Sequence, residues 1–405
     1  SSDVCSSDLV CDKTYYSAVL VICTEQKGMK NKIMKLRVIS FIKRETILTV
    51  SFFLALLSCF LVKPDREYLR YFTSNMGTMI ILFCLMAVVA GLGSLGVFRY
   101  LGERLLERIR SQGGIMLLLV FLCFFGSMLI TNDVALITFV PFGIMILEMA
   151  AMREKICCTV TLMTIGANLG SMFTPMGNPQ NLYLYGLSGM KLLEFLFLML
   201  PLTAAAALLL ALSVVFYSKK GKIKRQMEEK TERPDLVRTA FYVFLFLLCL
   251  QTVNGTLPAE ILLILILAAV AAGDKRLFAK VDYSLLLTFL CFFVFIGNIN
   301  RFGPFRELAV RVISGHELAA SVIMSQVISN VPAALLLSNF TQQWELLIVG
   351  TNLGGLGTLI ASMASLISYK QIAARYPEKK TAYLRTFTFW NVIFLAALWI
   401  MASVL

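Results

Sequence analysis

Two short polar motifs interrupt apolar stretches, and both occur twice in the same order. The first half carries Thr131-Asn132-Asp133 and then Gly166-Ala167-Asn168-Leu169-Gly170-Ser171. The second carries Ser329-Asn330-Val331-Pro332 and then Gly350-Thr351-Asn352-Leu353-Gly354-Gly355. Neutral amides and hydroxyls beside glycines suit binding rather than bond breaking. Asparagine oxygens and free carbonyls coordinate Na⁺, and free amides at helix N-termini hold a carboxylate or another oxyanion. Glycine lets the backbone approach closely, and Gly177 and Gly357 extend that pattern past each motif.

The candidate binding set in the first half is Thr131, Asn132, Asp133, Asn168, Gly170, Ser171, Thr174, Gly177 and Asn178. In the second half it is Ser329, Asn330, Pro332, Asn352, Gly354, Gly357 and Thr358. Asn132, Asn168 and Ser171 are assigned to one cation and anion face, and Asn330, Asn352 and Thr358 to its pseudo-symmetric counterpart. Na⁺ is placed at Asn132 and Asn330, with no dedicated metal site. Asp133 is the only acid at the four breaks. Three roles fit it: Na⁺ ligand, proton carrier, or cap of the following helix. Helix packing by small residues accounts for single glycines, but not for the repeated set.

The elements that must position these residues are membrane helices. The chain has 405 residues, 58% hydrophobic and only 15% charged, where a soluble domain carries about 25% charged residues. Mean hydropathy is +0.79, and stretches long enough to cross a bilayer recur throughout, so the fold class is an all-α polytopic membrane protein. Polar groups at membrane depth are costly unless they face a cavity, a partner or a permeating ion. Duplicated breaks there point to a secondary transporter with its site at the midplane.

Spans are expected at about 46–62, 76–98, 156–185, 191–217, 237–254, 258–273, 283–300, 346–369 and 386–405, those at 156–185 and 346–369 broken. Gly114–Met149 and Leu318–Phe340 are read as re-entrant hairpins, because each arm of the first has roughly 16 residues against the ~20 needed to span. Leu101–Arg110 and Phe305–Ile313 read as interfacial arms. The architecture is then two inverted repeats with about nine spans, two re-entrant hairpins and two broken helices. The first repeat covers 29–217 with an inward-opening hairpin. A cytoplasmic basic linker covers 218–236, and the second repeat, with an outward-opening hairpin, covers 237–405. Residues 1–28 resemble translated adapter sequence, so the native start is expected at Met29 or Met34.

The net charge of +13 lies in short loops, as the positive-inside rule requires; it puts the N-terminus in the cytoplasm and the C-terminus outside, and implies no nucleic acid. The lone His316 excludes a histidine-rich metal site, and the ten cysteines form no framework. Nucleophile–base pairs and nucleotide loops are not visible, so no enzyme and no cofactor is expected beyond Na⁺ or H⁺ as coupling ion.

These motifs resemble the ion transporter superfamily: divalent-anion:sodium symporters, citrate transporters, arsenical-pump membrane proteins and sodium/proton antiporters. Thr131-Asn132-Asp133 through Pro141 is similar to the first hairpin of the arsenical-pump and antiporter branches. Gly166–Asn181 is similar to the broken span of the dicarboxylate branch, and Ser329-Asn330 to the start of its Ser-Asn-Thr signature, from which Val331-Pro332 departs. The resemblance implies a scaffold half and a moving transport half in the cell membrane, often a homodimer. It implies cation-coupled transport of a small anion, most simply a di- or tricarboxylate such as citrate or succinate. The alternative is sodium/proton antiport or arsenite efflux.

Overall fold

The computed structural model describes residues 45–61, 76–106, 109, 111–218, 233–299 and 301–404. The leader 1–28, both start codons, the loop Lys63–Arg70, Arg108, Arg110 and the basic linker residues 219–232 lie outside the described residues.

The described chain is helical: α1 Thr46–Leu61, α2 Met76–Ser94, α3 Val97–Leu106, α4 Gln112–Leu129, α5 Asn132–Met149, α6 Ile156–Ser171, α7 Pro179–Ser188 and α8 Leu192–Tyr217. After the linker come α9 Leu236–Val253, α10 Ala259–Gly273, α11 Tyr283–Ile299, α12 Gly303–Ile313, α13 Glu317–Ile328, α14 Asn330–Leu337, α15 Trp344–Leu353, α16 Met363–Arg375 and α17 Lys380–Ala402. Six of these helices or helix runs, Met76–Ser94, Gln112–Leu129, Asn132–Met149, Leu192–Tyr217, Leu236–Val253 and Pro377–Ala402, are long and apolar enough to cross a membrane. The pair Arg306–Ile313 and Glu317–Ile328, bent by 115°, would make a seventh if it is one span. Large apolar side chains such as Phe52, Phe60, Phe197, Phe216 and Leu236 lie exposed on the bundle surface, as lipid-facing residues do.

Local chemistry sets the boundaries. Asp235 accepts from the N–H groups of Val237 and Arg238 at the start of α9, and Asn178 caps α7 with Pro179 in its first turn. Gly96 has φ 70° at the turn after α2, so α2 stops at Ser94 rather than 98 and the first arm begins at Val97 rather than Leu101.

The packing pairs the halves. α4 and α5 both lie on α6, while α13 and α14 both lie on α15. α5 contacts α16, and α14 contacts α7. α1 runs parallel to α11: Ser284 Oγ donates to Glu45 Oε2 (2.6 Å) near their starts, and Asn298 Nδ2 donates to Ser58 Oγ (3.0 Å) near their ends. One end of the bundle gathers basic loops. There Lys155 Nζ donates to the Tyr217 carbonyl (2.9 Å), Lys379 Nζ to the Arg153 carbonyl (2.8 Å), and Arg375 and Tyr376 grip the Glu148 carboxylate.

One expectation needs correcting. The arms of the first hairpin have 18 residues each, not about 16, so their length does not separate a hairpin from two spans. The arms of the second have 12 and 8 residues.

Candidate functional site

The two tips are built alike. The Asn132 N–H, at the start of α5, donates to the Gly177 carbonyl in the break after α6 (3.1 Å). The Asn330 N–H, at the start of α14, donates to the Ala361 carbonyl in the break after α15 (2.9 Å). Each asparagine Oδ1 accepts the next N–H, from Asp133 at 3.0 Å and from Val331 at 2.9 Å. Thr174 donates its hydroxyl to the Met128 carbonyl (2.6 Å), and Thr358 to the Gln326 carbonyl (3.3 Å). A Cβ on Gly170 would strike the Phe124 carbonyl and Ser127; one on Gly354 would strike Ser325. The pairs Ser127/Ser325, Met128/Gln326 and Asn132/Asn330 stand at one constant offset in the chain. Glycine is thus required where each broken helix presses on its hairpin arm.

A buried amide network joins the tips. Asn168 Oδ1 accepts from Asn132 Nδ2 and from Ser362 Oγ, both at 3.1 Å, while its Nδ2 donates to the Gly355 carbonyl at 3.4 Å. Asn352 Oδ1 accepts from Asn178 Nδ2 (2.9 Å), and its Nδ2 donates to Asn181 Oδ1 (2.6 Å) and the Ile348 carbonyl (2.7 Å). Ser171 donates to the Asn168 carbonyl (2.9 Å) and accepts from Asn178 (3.2 Å). All these side chains are buried. Each broken-helix asparagine therefore bonds to the other half of the chain, and the two assigned faces form one continuous network.

Helix N-termini converge on it. Asn178 caps α7, but α5, α14 and α16 have no side-chain cap bond. Ser362 precedes α16 and gives its hydroxyl to Asn168 instead. The first two N–H groups of α5 and of α14 are bonded within the site, so what these ends present is the positive end of each helix dipole. The arrangement therefore offers neutral oxygens for a cation and positive helix ends for an anion.

The remaining candidates fall around this network. Thr131 is buried and forms no cap bond to α5. Asp133 is in the first turn of α5, and its Oδ1 is buried without a hydrogen-bond partner. Asp133 does not cap α5: the bond at that end runs from its own N–H to Asn132 Oδ1. Ser329 is buried with φ 77° and ψ 153°, a region that strains any residue but glycine. Pro332 is in the first turn of α14, where no intrahelical N–H is needed. Gly357 has φ 101°, and the backbone N–H of the exposed Thr358 donates to Gln326 Oε1 (2.8 Å).

Three contributors were missed. Gln326 donates to the Gly354 and Leu356 carbonyls (3.0 and 2.9 Å); as the only amide in an apolar arm, four residues before Asn330, it was detectable. Asn181 lies inside the quoted motif. Ser362 had no local signal and emerges only because it corresponds to Asn178 across the halves.

Residues 33–343 match the citrate transporter family. The chain belongs to that family. An uncharacterized transporter of Methanocaldococcus jannaschii is 34% identical over 294 residues, covering 72% of this chain and 80% of that protein. The inner membrane protein YbiR of Escherichia coli is 29% identical over 298 residues, 72% of this chain and 79% of that one. The silicon efflux transporter LSI3 of rice is 35% identical over 134 residues, 32% of this chain and 27% of that protein. As a member of the citrate transporter family with several long apolar helices, the chain is a multi-pass membrane transporter of ions or anions.

Proposed function

We propose that this citrate transporter family member is a cation-coupled secondary transporter of a small anion, a di- or tricarboxylate such as citrate or succinate. The observation that carries the reading is the meeting of the N-termini of α5, α14 and α16 at a buried asparagine network shared by both halves. The positive ends of these helix dipoles complement carboxylates, and the neutral oxygens at Asn132 and Asn330 suit Na⁺. Asp133, with an unpartnered buried oxygen, is the group that would serve H⁺.

The site serves transport if the halves are inverted repeats with two re-entrant hairpins and nine spans. The second hairpin supports this: arms of 12 and 8 residues extend about 18 and 12 Å at 1.5 Å per residue, far short of a hydrocarbon core about 30 Å thick. In this reading Lys155, Arg375 and Lys379 face the cytoplasm, the C-terminus lies outside, and exposed apolar helices meet the lipid of the cell membrane and a second copy.

A second reading is efflux of a small oxyacid such as arsenite, favoured by the likeness to the rice silicon efflux transporter. Uptake of labelled citrate, succinate, sulfate and arsenite into proteoliposomes, with Na⁺ and proton gradients imposed separately, separates the two. The first reading expects carboxylate uptake driven by one gradient, lost in Asn132→Ala and Asn330→Ala while both variants remain folded. Asp133→Asn tells the coupling ion: a flattened pH profile assigns H⁺, and a lowered apparent Na⁺ affinity assigns Na⁺. Arsenite movement without carboxylate uptake overturns the first reading.

A further inference from the structure

A second polar seam leaves the asparagine network on one side only. Thr161, Thr164 and Asn168 share a face of α6 at spacings of three and four, and α16 carries Ser365 and Ser368 behind Ser362. The two rows run antiparallel: Asn168 meets Ser362 at 3.1 Å, and Thr164 meets Ser368 at 2.7 Å. Tyr383 of α17 brings its phenol beside Thr161, Thr164 and Ser368. The seam therefore leads from the central network toward the end of the bundle where Lys155 and Lys379 are anchored. All five hydroxyl residues are fully buried.

Ser365 Oγ has no hydrogen-bond partner, and Thr161 Oγ1 and the Tyr383 phenol have none within 3.5 Å, although the phenol faces the hydroxyls of Thr164, Ser368 and Thr161 at longer range. This is not the usual behaviour of hydroxyls in these helices. Thr164 donates to the Val160 carbonyl, Thr159 to Lys155 and Ser368 to Ala364, each one turn back. Thr161 and Ser365 make no such bond. At two positions the matching place in the other half is apolar, with Ile348 corresponding to Thr164 and Leu184 to Ser368, both fully buried, whereas Thr161 corresponds to the exposed Glu345 and Ser365 to the buried Asn181 of the central network. Packing alone does not require hydroxyls on one side where isoleucine and leucine serve on the other.

Buried polar groups without protein partners are met by internal water when two or more converge on the same space. A bare cation would supply no acceptor for the phenol hydrogen, whereas water both donates and accepts. We propose that Thr161, Thr164, Ser365, Ser368 and Tyr383 hold internal water, and that this hydrated seam is a proton path between the Lys155 end and the Asn168–Ser362 pair. Every member is both donor and acceptor, so a proton entering at one end breaks one O–H bond for each it forms and releases a proton at the other. The water site stands on the geometry alone; its use as a path rests on the reading of the chain as a cation-coupled transporter.

The test uses the full chain in lipid nanodiscs and in proteoliposomes. X-ray radiolysis generates hydroxyl radicals from bound water in place. Tyr383 is expected to be oxidised several-fold faster than Phe387 and Tyr183, which are equally buried; Tyr183 is already bonded to Ser338 at 3.2 Å. Equal rates overturn the water site. Thr161→Val and Ser365→Ala give an independent sign. Removing a dry orphan hydroxyl raises the melting temperature, whereas removing a ligand of internal water lowers it. Tyr383→Phe is then expected to slow proton entry several-fold, read by an enclosed pH dye during anion uptake. Undiminished proton entry with fast Tyr383 labelling overturns the path and leaves the transport reading intact. Wild-type protein that takes up no anion under either gradient overturns the transport reading, and with it the path, but not the water site.

Discussion

Asn168 is the acceptor on which the central network closes, and replacing it separates network from packing. In Asn168→Ala two donors lose their acceptor, Asn132 Nδ2 and Ser362 Oγ, each at 3.1 Å in the intact protein. Hydrogen bonds between membrane helices are worth about 0.6 kcal/mol on average, so two such bonds set a floor near ~1.2 kcal/mol. The Ser362 hydroxyl can turn to another acceptor, but the Asn132 amide is buried, and an orphaned buried donor costs about 1–3 kcal/mol. The expected loss for Asn168→Ala is therefore about 1–3 kcal/mol, a five- to more than hundredfold change in the folding equilibrium. Asn168→Asp keeps the size and both acceptor positions but turns an oxygen toward the Gly355 carbonyl, 3.4 Å from the present amide nitrogen, and buries a charge. It should therefore also be destabilised and should lose anion uptake, since a carboxylate then faces the anion site. Asn391 supplies the control. It is fully buried in α17 and bonds only to the Phe387 carbonyl of its own helix, so Asn391→Ala should cost less than Asn168→Ala. Reversible unfolding in bicelles gives the stabilities and proteoliposome uptake gives the function. The reasoning fails if Asn168→Ala unfolds like wild type, or if Asn391→Ala is as harmful.

Two further predictions concern packing and charge. Gly170→Ala must push a methyl into the Phe124 backbone carbonyl, so it should cost about 1–3 kcal/mol; Gly93→Ala meets open space and should gain up to ~1 kcal/mol from helix propensity, and equal melting temperatures would contradict the close approach. The Glu148–Arg375 pair ties α5 to α16, but the Arg375 side chain is 49% exposed, so a double-mutant cycle of Glu148→Gln and Arg375→Gln should return a coupling of only about 0.2–1 kcal/mol; a coupling of several kcal/mol would place the pair in a drier setting.

Element existence was legible because hydrophobic stretches are long and their interruptions polar. Expected spans and observed helices share their cores at α1, α8, α9 and α10, and the departures occur where backbone conformation decides, as at Gly96 with its φ of 70°. Length was a weaker guide. Counting apolar residues undervalued the arms of the first hairpin, because a helix continues through terminal residues such as Gln112, Asn132 and Asp133 that a hydropathy count discards. The membership of the site was legible in its asparagines, since an amide in an apolar stretch must find partners. Its wiring was not. Each motif read alone suggests that Asn168 belongs with Ser171 and Asn352 with Thr358, but side chains bond according to where helices cross. α6 lies against α16, and α15 against α7, so Asn168 takes Ser362 and Asn352 takes Asn178. The repeat offset contains that exchange: Ser362 stands to Asn352 as Asn178 stands to Asn168. Once one cross-bond is known, the other follows from the offset. The same reasoning shows where the halves part company, because the offset that pairs asparagine with serine at the centre pairs Thr164 with Ile348 and Ser368 with Leu184 one turn further out. The centre of the molecule is thus near-symmetric in its chemistry, and the halves differ at two buried pairs outside it, although Ser365 keeps a polar counterpart in Asn181. A transporter that exchanges access between two sides must treat them differently at some point, and these four positions are one place where this sequence does so.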